Sequence, residues 1–206
     1  NCVGVGMMGW GDATHRIRGV SKLLFVRAAV IEDPNTKSRL IFACAELCFI
    51  TEAVREEVLV RLSQLAPFYA IKPEELLLTA THTHNAPGGH SKYLLYGITV
   101  PGFQPHVFET YVNGIVDAIL GAFRIAQPAT MRFSNGFFEA DSKVAFNRSL
   151  KAWKRNPEAR TGEEIDREMT LLRFDGLDGR ELGCINWFSV HATSVHRAVP
   201  DIHSDN

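Results

Sequence analysis

The sequence predicts an α/β fold, a mixed β-sheet layered with helices in an incomplete domain. Short apolar runs of strand length recur along the 206 residues. Two segments between them repeat apolar residues at helical spacing. Strands that alternate with helices give an α/β sheet, and a closing antiparallel hairpin makes that sheet mixed.

The elements follow in order. Residues 23–31 form an apolar strand, and Asp33-Pro34-Asn35-Thr36 a turn. Residues 39–49 form the next strand, so the two make a hairpin or lie side by side. Thr51 suits a helix N-cap, Glu52 sits in the first turn, and Val54, Val58, Leu62 and Leu65 recur on one face before Pro67. Residues 74–82 give a strand that ends in histidines. Phe108, Val112, Ile115, Ile119 and Phe123 line a second helix, closed by Pro128. Residues 130–138 read as a strand, and 149–167 as a loop or a short exposed helix. Residues 169–174 and 182–190 are strands joined by the turn 175–179. With no linker in view, residues 1–206 read as one domain, incomplete at its C-terminal side. The chain opens on Asn1 rather than Met and ends in polar Ser204-Asp205-Asn206, so it reads as a piece of a larger protein.

Composition narrows the function. Hydrophobic residues make up 46% and charged residues 22%, enough for a packed core, and the net charge of −1 argues against a general nucleic-acid partner. No apolar run reaches the roughly 20 residues that span a bilayer. Cys2, Cys44, Cys48 and Cys184 form no compact disulfide pattern, and Cys44 and Cys48 read as buried thiols.

The chemistry concentrates in Thr79-Ala80-Thr81-His82-Thr83-His84-Asn85-Ala86-Pro87-Gly88-Gly89-His90, directly after the apolar Leu76-Leu77-Leu78. Side chains alternate along a strand, so His82 and His84 are expected on one face. Paired imidazoles at a strand end, followed by Pro-Gly-Gly, suit a metal site open to substrate. An HxH by itself is a weak signal. His191, in Trp187-Phe188-Ser189-Val190-His191, repeats the pattern of apolar strand followed by imidazole. Two such strand ends can converge at one sheet edge. His82 and His191 are then candidate zinc ligands. The competing reading is three separate histidines held by hydrogen bonds near the surface. Arg148 either binds an anion or steadies an oxyanion at a site edge, or is a surface arginine. Gly4-Val5-Gly6-Met7-Met8-Gly9 follows no strand of a βαβ unit, which excludes a dinucleotide loop, and no Gly-x-Ser-x-Gly elbow frames Ser194.

These residues together resemble the neutral (non-lysosomal) ceramidase family. Thr81-His82-Thr83-His84 with Pro87-Gly88-Gly89 is similar to its Thr-His-Thr-His-Ser-Gly-Pro-Gly-Gly signature. Tyr93-Leu94-Leu95-Tyr96, Gly102-Phe103, Val112-Asn113-Gly114, Asn147-Arg148-Ser149, Asn186-Trp187-Phe188 and Ser204-Asp205-Asn206 follow in similar order. The resemblance implies a zinc amidohydrolase that splits ceramide into sphingosine and a fatty acid. It implies Zn2+ held by His82 and His191, with His84 and Arg148 lining the site as catalytic groups. The family's remaining ligands, a Glu and a Tyr, come later in its sequence, so this segment alone would be inactive. A ceramide-like lipid substrate, a membrane-surface association and a secreted or membrane-associated location are also implied. Asn85-Ala86, His90 and the charged segment 195–203 depart from the family pattern. They leave open a hydrolase of the same scaffold acting on another amide or ester. A non-catalytic binding module is the alternative of a different class.

Overall fold

The computed structural model describes residues 2–160 and 162–205, without the side chains of Glu158 and Arg160. Asn1, Thr161 and Asn206, the last of which closes the Ser-Asp-Asn motif, lie outside the described residues. The elements in chain order are β1 (Met7–Met8), β2 (Gly19–Val20), β3 (Val26–Glu32), β4 (Arg39–Ala45), α1 (Glu52–Leu65), β5 (Leu76–Ala80), β6 (Ala86–Pro87), α2 (Pro105–Ile125), β7 (Ala129–Phe137), α3 (Leu150–Trp153), β8 (Glu168–Gly176), β9 (Glu181–Phe188) and β10 (Asp201–Ile202). They divide into two compact units, residues 1–126 with 192–206, and residues 127–191.

The first unit is built on a three-stranded mixed sheet, β3-β4-β5. β3 and β4 form the expected hairpin, with Val26 opposite Ala45 and Glu32 opposite Arg39. β4 and β5 run parallel, the return being made through α1. Thr51 caps α1 as its sequence position suggests, its hydroxyl accepting from the Val54 amide at 3.2 Å. Val54, Val58 and Leu62 of α1 are wholly buried. With Phe108, Val112, Ile115, Val116 and Ile119 of α2 they pack on Ile41, Ala43 and Leu76. Central β4 is buried at Ile41, Phe42 and Ala43 in succession, hence on both faces, which explains its unbroken apolar run.

Two small pairings complete this unit. β1 lies antiparallel to β6, and β2 parallel to β10. The second unit is an antiparallel sheet, β7-β8-β9, so the chain holds several small sheets rather than one large one. A register shift at Phe174/Asp175 bends β8 against β9. Buried Asp175 pairs there with Arg173, at 2.9 Å, and with Arg132. The polar stretch after Asn147 contains α3, a single helical turn. No helix among the described residues is long and apolar enough to cross a membrane.

Candidate metal centre

The histidine segment leaves the sheet earlier than alternation along a strand suggests. β5 ends at Ala80, so His82 and His84 are loop residues rather than neighbours on a strand face. The chain turns because the amides of His82 and Thr83 both donate to the Leu47 carbonyl, at 2.9 and 3.2 Å. His82 itself adopts a left-handed backbone conformation, φ +66°. That region is uncommon for a residue with a Cβ, and such strain collects at functional sites.

The two imidazoles nonetheless face each other, by a different route from the expected one. Their Nε2 atoms are 3.3 Å apart and their rings meet edge to face. His82 Nδ1 lies 2.7 Å from the Cys48 carbonyl. A carbonyl only accepts, so the proton resides on Nδ1 and Nε2 carries the lone pair that a metal needs. Two nitrogens each about 2.0–2.1 Å from a tetrahedral zinc stand about 3.3 Å from each other, so this spacing fits such an ion. The Cys48 sulfur is 3.7 Å from His82 Nδ1. Burial pushes its thiol up to about 12, so it stays protonated and serves as packing rather than as a ligand.

His84 is held more tightly still. It is 3% exposed, and the Trp10 ring meets it edge-on at 4.7 Å. Gly9, at φ +128°, lies so close that a Cβ there would stand 2.4 Å from His84 Cδ2. Only glycine permits this approach. Downstream, Thr83 and Asn85 are fully buried anchors. The Thr83 hydroxyl donates to the His203 carbonyl at 2.7 Å, and the Asn85 amide to the carbonyls of Val199 and Asp201. Asn85 and the segment 195–203, both departures from the family pattern, thus meet through hydrogen bonds. His90 is buried too, its Nε2 donating to the Phe49 carbonyl at 3.1 Å, and burial lowers its pKa.

His191 is the last residue of the second unit, exposed, three positions beyond the end of β9 and outside the strand expected to run into it. Within the first unit, His82 and His84 each offer one imidazole nitrogen to a metal ion. Arg148 is an exposed turn residue of the second unit, ahead of α3. Asn147 shapes that turn, accepting from the Ser149 amide at 2.9 Å and donating to the Glu164 carbonyl at 3.0 Å. Gly9, Trp10, Thr83 and the Cys48 carbonyl escape a sequence reading, although Gly6 to Gly11 carries a hint in its glycine spacing.

Comparison with known proteins places this centre in a lineage. Residues 1–206 match the family described as "Neutral/alkaline non-lysosomal ceramidase, N-terminal". The neutral ceramidase of Pseudomonas aeruginosa is 36% identical over 203 residues, 98% of this chain and 30% of that protein. The neutral ceramidase of Mycobacterium tuberculosis is 37% identical over 207 residues, 98% of this chain and 32% of that protein. The crystal structure of the Pseudomonas aeruginosa neutral ceramidase superposes with a TM-score of 0.91 at 35% identity, covering 98% of this chain and 32% of that one. A ceramidase complexed with C2 superposes at 0.90, with 98% and 31% covered. The chain therefore spans about a third of the length of its relatives, and it belongs to the neutral/alkaline non-lysosomal ceramidase family, as part of the N-terminal region.

Proposed function

We propose that the complete protein is a zinc-dependent amidohydrolase that cleaves the N-acyl bond of ceramide to give sphingosine and a fatty acid. His82 and His191 are its ligands within this chain. The observation that carries the reading is His82, a strained residue whose Nδ1 is held by the Cys48 carbonyl and whose Nε2 faces that of His84 at 3.3 Å, a spacing that suits a shared ion. The names of the relatives support the substrate. Two imidazoles leave a zinc shell incomplete, so further ligands come from outside this chain.

When bound, zinc supplies acidified water and a polarised amide carbonyl. The residues of this chain do the rest. His82 presents a neutral nitrogen in a fixed tautomer. His84, with its Nε2 3.3 Å from that of His82, carries a proton to the leaving amine. Cleavage of an amide needs such a donor, since an amine anion is a poor leaving group. Arg148 stabilises the oxyanion that forms as the carbonyl is attacked. Placement outside the cell or at a membrane surface goes with a lipid substrate.

The test is ceramide hydrolysis by the complete protein before and after chelation, with short-chain amides assayed in parallel. The reading expects ceramide turnover that chelation abolishes and Zn2+ restores. Turnover that survives complete metal removal would refute the metal, and hydrolysis of short-chain amides alone would refute the lipid.

A further inference from the structure

A polar cavity lies in the first unit, lined by residues that the hydrolytic reading does not use. It has a volume of about 260 Å³, and its walls include Asp12, His15, Arg16, Arg18 and Arg197. The sequence creates it by alternation. His15 and Ile17 are buried while Arg16 and Arg18 are exposed, so the two guanidinium groups leave the same side of one extended segment. Ile17 is the inward anchor, packed with Met7 and Ile202. Arg197 arrives from the far end of the chain. That end is stitched on by the Arg18 amide donating to the Pro200 carbonyl at 2.8 Å and by His15 Nε2 donating to the Val199 carbonyl at 3.1 Å.

We infer that this cavity binds a phosphate group, free or as a lipid phosphomonoester headgroup. Three guanidiniums and one carboxylate line it, leaving a net charge of two positive. Arg16 spends one nitrogen on the Gly4 carbonyl, at 3.1 Å. The side chains of Arg18 and Arg197 make no hydrogen bond or close ion pair among the described residues, although Arg197 lies near enough to lower the Asp12 pKa after the larger effect of Thr14. Asp12 is itself committed, one oxygen accepting from both the amide and the hydroxyl of Thr14 at 2.8 and 2.6 Å. His15 is 6% exposed, and its Nδ1 is buried without a hydrogen-bond partner among the described residues. Three guanidiniums set against a single carboxylate call for a dianionic oxygen cluster, which their planar forks match two bonds at a time. The volume lies below the roughly 300–1,000 Å³ of drug-sized sites and suits a small headgroup.

The test uses the complete protein and does not depend on the metal reading, because it measures binding rather than hydrolysis. Inorganic phosphate is titrated calorimetrically. Phosphatidylcholine vesicles with and without phosphatidic acid are sedimented with the protein, with and without added phosphate. Phosphate binding is expected, weakened about tenfold or more by Arg18→Ala and by Arg197→Ala, the loss of one charge-assisted fork each. Asp12→Asn is expected to tighten it severalfold, a gain that misfolding cannot imitate. Retention on phosphatidic acid vesicles that phosphate competes away assigns the site to a headgroup. Phosphate binding without vesicle retention assigns it to the free ion. Absence of binding by the unaltered protein, or binding indifferent to all three substitutions, overturns the inference.

Discussion

At the atomic scale three residues set the geometry of the candidate centre: His82, His84 and Gly9. His82 is fixed by the Cys48 carbonyl, and His84 by Gly9 and Trp10, so both rings are oriented before any ligand arrives. Their Nε2 spacing serves either two ligands of one ion or a donor beside a bound group. The proposed role of His84 is the second. His84→Ala is therefore expected to lower turnover about 10²–10⁴-fold while zinc content stays near that of the unaltered protein, as metal analysis and kinetics on one preparation will show. Zinc lost in step with activity would make His84 a ligand instead. The HxH spacing was legible in the sequence, but the reason the rings face each other was not. That reason is a left-handed φ at a residue other than glycine and a backbone contact from residue 9, both set by tertiary packing.

Elements bring these residues together, and they divide by length in how far they could be read. α1, α2 and the hairpin β3-β4 announce themselves through several consecutive turns or pairs of periodic apolar residues, through Thr51 as cap and through Pro67 and Pro128 as stops. The pairs β1-β6 and β2-β10 are two residues long and join distant parts of the chain, so no local pattern marks them. Yet they hold the histidine loop and the arginine cavity. His90 ties the segment after β6 to the connection between β4 and α1, at the Phe49 carbonyl. Burial lowers its pKa below the ordinary value of 6.5. Above that value folded and unfolded chains are both neutral at this site and it contributes no pH dependence. As the pH falls below about 6.5 the unfolded chain takes up a proton that the buried ring resists, so stability declines. Urea midpoints measured from pH 7 down to 5 are expected to fall for the unaltered protein and to fall less for His90→Gln. Equal slopes for the two would show that the ring carries no such linkage.

At the scale of the whole molecule, the chain is about a third of the length of its relatives and divides into two units. A sequence read as one domain gives little sign of that division. The boundary falls at Gln127 and His191 without a glycine-rich linker, and residues 192–206 return to the first unit through pairing with β2. Family membership, by contrast, was visible in several ordered motifs, because the residues that build a reaction centre tolerate fewer substitutes than those that fill a core. His82 is proposed to grip a zinc ion. The most direct test is elemental analysis of the complete protein beside His82→Asn. Asparagine suits this variant because it accepts the left-handed backbone of position 82, so the loop is retained while the imidazole is removed. About one zinc per chain is expected in the unaltered protein and almost none in the variant, with the circular dichroism of the two unchanged. A variant that keeps its full complement of zinc would contradict that role.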